Sequence, residues 1–227
     1  YSISGNGGVN NWRGTPLWLG KGKYDFSPLE KKLETLLRLD PDVTVLLYYG
    51  IAPYPAFFQE HPEACALNDK GDRMPTENSF WPSYAAEAFR REAGDMIKAL
   101  AEFLKKSPCG KAVACIHIVG GGDGQWFPYS HDGSEGNRVA FADYLRRVYG
   151  NDVAKLRAAW GDPKAAFETV TIPRPEEYKE IPYFIDPSSP GGRRLADGER
   201  FRNVAPVETV SELGKIFKEN MGRPMYV

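Results

Sequence analysis

The sequence has no excess of charge of either sign. Its 29 Lys and Arg stand against 30 Asp and Glu, a formal net charge of −1 over 227 residues. A nucleic-acid binder needs a basic face, so the near-neutral charge argues against that class and no nucleic-acid partner is expected. No apolar run approaches the ~20 residues that span a bilayer, so no membrane partner is expected. No signal peptide opens the sequence, yet Tyr1 is not a natural start. The compartment is left open between secreted, periplasmic and cytoplasmic. Cysteine is scarce: Cys65, Cys109 and Cys115 have no metal-ligand spacing and cannot all pair, so they read as free, structural thiols. Histidine is equally scarce, and His61, His117 and His131 form no His-x-x-x-His or His/Asp cluster, so no metal site is expected. The stretches "GNGG" and "GGGDG" lack the Lys-Ser/Thr of a phosphate loop. There is no Gly-x-Ser-x-Gly nucleophile turn. No cofactor is implied, and no repeat or low-complexity linker divides the chain.

What is present suits one sizeable domain: 42% hydrophobic residues, with aromatics at 13%. Short β-like runs alternate with amphipathic helices, the pattern of βα units on a mostly parallel sheet. "YSISGN" (1–6) reads as the tail of a strand. "DFSPLEKKLETLLRL" reads as a helix with Ser27 and Glu30 in a capping box, Pro28 in the first turn and Leu29, Leu33, Leu36 and Leu37 on one face. "VTVLLYYGI" (43–51) is a strand buried on both faces. After a Pro- and aromatic-rich loop, Pro82 opens a helix over 82–106, and "KAVACIHIVG" (111–120) is the next strand. Helices follow at 137–149 and 152–160. Residues 161–203 read as irregular and too long for an ordinary connection, so a functional loop is expected there. A last helix, 206–220, leads to Met225–Val227, which resembles the first half of another strand.

In parallel α/β folds ligands meet the C-terminal ends of the strands. Asn6, Asn10, Asn11 and Trp12 follow the first strand. Tyr48, Tyr49, Tyr54 and Phe57 end or follow the second, and Asp123, Gln125, Trp126, Phe127 and Tyr129 follow the third. Aromatic faces stack on the C–H faces of sugar rings, while Asn, Gln and Asp bond hydroxyls. The bland alternative is that the aromatics pack beneath their own loops. Asp123 is the acid in the glycine loop, although Gly-Gly-Asp-Gly is also ordinary turn chemistry. Gln125 exchanges hydrogen bonds but cannot transfer a proton. Asp132 and Glu135 read as solvated acids before a helix, and His117 as a core histidine facing a barrel interior.

Several stretches together resemble the clan A glycoside hydrolases, especially the β-galactosidases of family 42. "LDPDVTVLLYYGIAPYPAFFQEHPEACALNDKGD" resembles that family's third barrel strand and loop. "SFWPSYAAEAFRREAGDMIKALAEFL" resembles the following helix, and "ACIHIVGGGDGQWF" the fourth strand. "NRVAFADYLRRVYGNDVAKLRAAWGDP" is the most specific match, to the segment after the catalytic loop. "FIDPSSPGGRRLADGERFRN" resembles a later loop that leads to a helix and the fifth strand.

The resemblance implies an α/β fold, a (β/α)₈ TIM barrel, of which residues 1–227 form one partial domain running from about strand 2 to strand 5 and truncated at both ends. It implies retaining hydrolysis of β-galactosides or related β-glycosides, with an oligo- or polysaccharide substrate and a homo-oligomer at full length. In the clan the acid/base Glu ends the fourth strand, usually after Asn. That pair is absent here, and Gln125 stands where glycine-rich relatives carry Glu. Asp123 or Gln125 is thus expected at the acid/base position, with Asn6, Tyr49, Trp126 and Tyr129 binding substrate. The nucleophile, on the seventh strand, would lie beyond Val227. Residues 1–227 alone are therefore expected to be inactive. The alternative function is a non-catalytic carbohydrate-binding barrel.

Overall fold

The apolar, β-branched runs become strands of one parallel sheet. The computed structural model describes residues 2–6 (as backbone), 16–76, 79–120, 126, 129, 131–179 and 185–227. In chain order these form β1 (Ser2–Asn6), β2 (Trp18–Gly20), β3 (Lys23–Tyr24), α1 (Ser27–Leu39), β4 (Val45–Gly50), α2 (Phe57–Glu60), α3 (Glu87–Lys106), β5 (Val113–Val119), α4 (Glu135–Tyr149), α5 (Val153–Trp160), α6 (Pro175–Lys179) and α7 (Pro190–Met221).

The main sheet runs β1-β4-β5, all parallel, with Asn6 opposite Gly50 and Gly50 opposite Val119. Tyr226 extends it beyond β5. Its N–H donates to the Ala114 carbonyl (3.3 Å) and its carbonyl accepts from Ile116 N–H (3.0 Å). Neighbours in space therefore follow one another in the chain, with α1, then α3, then α4 to α7 as the connections. This is repeated βα winding, the only economical way to join adjacent parallel strands.

Helices cover one face of that sheet. Val45, Leu47, Tyr49 and Ile116 are fully buried there with Leu29 and Leu33 of α1, Phe89, Met96 and Leu100 of α3, and Leu213 and Phe217 of α7. Residues of the other parity, Leu46 and His117, are exposed, and Tyr48 is half-buried. A strand buried on both faces was expected; among the described residues the second face of β4 has no helix layer. α3 and α7 approach closely because Gly94 has no side chain, and a Cβ there would lie 3.0 Å from Ile216 Cδ1. A second core gathers Phe141, Leu145, Leu156, Trp160 and Phe201 from α4, α5 and the first half of α7. At its centre the buried Asp197 carboxylate accepts from the Trp160 indole N–H (2.9 Å) and the Tyr149 hydroxyl, with Arg193 Nε at 3.2 Å.

Three expectations are corrected. The Ser27–Glu30 capping box does not form. The Asp25 carboxylate accepts from Ser27 N–H (2.9 Å) instead, and Glu30 turns away to accept from the Ser107 hydroxyl (2.9 Å). α3 starts at Glu87, five residues after Pro82, because backbone bonds hold the preceding loop extended: Ala66 N–H donates to the Trp81 carbonyl (2.9 Å) and Ser83 N–H to the Ala64 carbonyl (2.8 Å). The expected irregular segment 161–203 is broken by helix, over Pro175–Lys179 and from Pro190 onward. α7 begins at Pro190, capped by the Ser189 hydroxyl, and carries Pro206 within its length. At 1.5 Å per residue its 32 residues reach about 48 Å. The seven residues of β5 reach only about 23 Å, so the helix outruns the sheet it covers.

Candidate functional site

The register places Asn6, Gly50 and Val119 side by side, so the C-terminal ends of β1, β4 and β5 share one edge. Ile51 N–H donates to the Val119 carbonyl (3.2 Å) and carries the pairing one step further. The connections 51–86 and 120–134 leave this edge after β4 and β5; Asn10, Asn11 and Trp12, after β1, and Phe127 lie outside the described residues. Asp123 and Gln125 lie outside the described residues.

Two aromatics mark the second connection. The Trp126 indole N–H donates to the Ile118 carbonyl (2.9 Å), folding the ring back over the end of β5. Gly120 leaves room for the ring, since a Cβ would stand 3.1 Å from it, tighter than an ordinary contact. The Tyr129 hydroxyl donates to the Pro82 carbonyl (2.9 Å). Tyr84 sits between them, 5.0 Å from each ring centroid and near-parallel to Tyr129 at 13°. Burial pushes the Tyr84 phenol up to about 12 and raises Tyr129 as well. Among the described residues, then, Trp126 and Tyr129 spend much of their surface on Tyr84. This matches the packing alternative as much as a sugar-facing one.

Tyr49 sits elsewhere than expected. It is fully buried, and its hydroxyl reaches Met96 Sδ at 3.1 Å. Val45, Leu47 and Tyr49 share a parity and point under α3, so Tyr49 belongs to the core. The opposite parity gives Tyr48, whose ring meets the exposed His117 edge-on at 5.1 Å. His117 therefore lies on the uncovered face of the sheet.

Asp132 is also not the solvated acid the sequence suggested. It is 6% exposed. One carboxylate oxygen accepts from Leu67 N–H (3.2 Å) and Ser134 N–H (3.0 Å), and its backbone carbonyl accepts from Asn137 Nδ2 (2.7 Å). Burial raises its pKa, and the bonds from Ser83, Ser134 and Leu67 pull the other way. Asp132 thus ties the 51–86 connection to the start of α4. Glu135 does fit the solvated reading: it is exposed and paired with Arg138, which lowers its pKa.

Two buried acids escaped the sequence reading, Asp197 in the second core and Glu92 of α3. Glu92 is 3% exposed, accepts from the Tyr54 hydroxyl (3.0 Å) and meets His61 Nε2 at 2.7 Å. Tyr54 also lies 2.6 Å from Glu60, and burial followed by the two carboxylates raises its pKa strongly. A phenol has one proton, so the carboxylates compete for it. The signal was legible: position 92 falls between Phe89 and Met96 on the apolar stripe of α3.

A cavity of about 40 Å³ lies between Tyr84, Tyr129, His131, Asp132, Pro173 and Tyr178. It is well below the roughly 300 Å³ of an ordinary ligand pocket and suits waters. A groove of about 430 Å³ runs between α3, α4 and α7 on the outer face, where Arg90 pairs with Glu212 and Arg147 with Glu208. It is remote in kind from the strand ends: its walls are helix surface. Among the described residues no His, Cys, Asp and Glu group is arranged to hold a metal, and no helix is long and apolar enough to cross a membrane.

The sequence model of one family, glycoside hydrolase family 42, described as beta-galactosidase, matches residues 19–225. A search of curated proteins found no match. Among solved structures, a beta-galactosidase from the psychrophilic Marinomonas ef1 superposes with a TM-score of 0.69 at 19% identity, covering 89% of this chain and 29% of that one. The E323A catalytic mutant of Gan42B, a family 42 beta-galactosidase from G. stearothermophilus, gives 0.67 at 19% identity, with 96% and 29% covered. A polyextremophilic beta-galactosidase from the Antarctic haloarchaeon Halorubrum lacusprofundi gives 0.64 at 21%, with 88% and 28% covered. The chain thus spans under a third of the length of the structures it resembles.

Proposed function

The chain belongs to glycoside hydrolase family 42, and from that premise we propose that it supplies one arc, about strand 2 to strand 5, of a (β/α)₈ barrel that hydrolyses β-galactosides or related β-glycosides. The observation that supports this most is the shared edge of β1, β4 and β5, from which a glycine-rich connection containing Asp123, Gln125 and Trp126 departs. The uncovered face of the sheet, with Leu46, Tyr48 and His117, would be the barrel interior, closed by further strands of the protein that carries this chain.

In this reading the strand-end edge binds the sugar. A retaining glycosidase sets two carboxyl groups ~5–5.5 Å apart across the scissile bond. Asp123 or Gln125 occupies the acid/base position, and of the two only Asp123 can transfer a proton. The nucleophile comes from a strand outside residues 1–227. Asn6 stands at the right register for substrate contact, opposite Gly50. Trp126 and Tyr129 offer the faces that their packing on Tyr84 leaves free. Tyr49 acts from the core, not by contact. The substrate is an oligo- or polysaccharide, and the full-length protein forms a homo-oligomer, which sedimentation would check.

The test is turnover of an aryl β-galactoside by the full-length protein and by its Asp123→Asn variant. Loss of ~10²–10⁴-fold on Asp123→Asn identifies the proton donor. Residues 1–227 alone should show no turnover. Gln125 favours a second reading, a barrel that binds sugars without cleaving them. That reading requires saturable sugar binding and no hydrolysis in both the natural protein and Gln125→Glu.

A further inference from the structure

We propose that Tyr84 is a positioning residue, which fixes the connection after β5 against α7 and so presents the sugar-facing loop; this rests on the reading above. The chain of contacts is continuous. Thr209 of α7 is fully buried, and its hydroxyl lies 2.8 Å from the Tyr84 carbonyl and 3.0 Å from that of Ala205. Tyr84 in turn carries Trp126 and Tyr129, each 5.0 Å from its ring centroid. Those rings are tied at their far ends to the Ile118 and Pro82 carbonyls.

The ring of Tyr84 does this, not its hydroxyl. The hydroxyl is buried beside that of Tyr129 without a bond of good geometry, while Tyr129 gives its own proton to Pro82. Tyr84→Phe should therefore preserve the clamp. Tyr84→Leu keeps apolar volume but loses both ring contacts.

The experiment is hydrogen exchange on the full-length protein, followed by mass in peptides spanning 119–131, with galactose binding measured alongside. Tyr84→Leu loses the pairs with Trp126 and Tyr129, besides that with Phe89, so exchange in 119–131 should rise about fivefold to 150-fold. Exchange at 96–106 of α3 should stay unchanged, galactose binding should weaken, and Tyr84→Phe should behave as the natural protein on both readouts. Thr209→Val, which removes the hydroxyl behind Tyr84, should raise exchange in the same peptides. Unchanged exchange in Tyr84→Leu, or an equal rise in Tyr84→Phe, overturns the proposal. If the natural protein binds no sugar yet Tyr84→Leu alone loosens 119–131, the clamp stands and the carbohydrate reading falls.

Discussion

The sharpest contrast between sequence and structure can be tested at Asp132. A solvated loop acid can be replaced with little effect, within about 0.5 kcal/mol. The structure requires a different result. One oxygen of the buried carboxylate takes both Leu67 N–H and Ser134 N–H. Asp132→Ala leaves both donors without a partner, at about 1–3 kcal/mol each, or about 2–6 kcal/mol together. Asp132→Asn keeps an oxygen in place for both bonds and removes a buried charge, so its cost should stay within about 1 kcal/mol. The two variants differ in little but the acceptor, so their difference isolates it. pH adds an independent check. Burial raises the Asp132 pKa in the folded state above the ordinary carboxyl value of 3.8. The native state then binds the proton more tightly than the unfolded chain. This group's contribution therefore favours folding at low pH and is lost as pH rises from about 3.8 through the folded value. Asp132→Asn should remove that slope. Urea unfolding followed by circular dichroism across pH 4–8 measures both effects. An Asp132→Ala cost below about 0.5 kcal/mol, or equal costs for Ala and Asn, would refute the buried-acceptor account.

Three further predictions follow from other parts of the fold. Gly120→Ala puts a Cβ 3.1 Å from a Trp126 ring that is held on two sides; a loss of about 1–2 kcal/mol should appear in thermal melts, and an unchanged melt would mean the ring is not seated there. Glu92→Ala deprives His61 and Tyr54 of a buried acceptor. Its cost should be about 2–3 kcal/mol by urea unfolding, softened because Tyr54 retains Glu60. The Cys65 thiol is buried and pushed up to about 11, so iodoacetamide at pH 7.5 should label the half-buried Cys115 first. Cys65 labelling should then climb about tenfold per pH unit as the thiolate fraction grows; equal labelling of the two by peptide mass spectrometry would contradict its burial.

Much of the βα alternation was legible, for identifiable reasons. β4 and β5 are continuous apolar runs, and α4 and α5 carry their periodicity intact. Even the pairing of Tyr226 was foreshadowed by "PMYV". Parity was not legible. In "VLLYY" every residue is apolar or aromatic, so nothing local shows that Tyr49 goes under α3 and Tyr48 to the open face. That choice is made by α3 and by β5, through Met96 and His117. The start of α7 was obscured by Gly191, Gly192 and Pro206, three poor helix residues, which tertiary packing along the first half of the helix overrides. The hairpin of β2 and β3 was too short to give a period. The capping box failed because Asp25, two residues before Ser27, competes for its N–H. Of the candidate site, the strand-end edge and its aromatics were readable; Glu92 could have been found from its place on the apolar stripe of α3, whereas the burial of Asp132 depends on what folds over it.

The most direct test of the account is hydrolysis of 4-nitrophenyl β-galactoside by the full-length protein, with the natural sequence and Gln125→Glu assayed together. The account predicts turnover above the uncatalysed rate, lost on Asp123→Asn if Asp123 donates the proton and gained on Gln125→Glu if position 125 is the acid/base site. No turnover by either protein, with no saturable binding of galactosides, would contradict it.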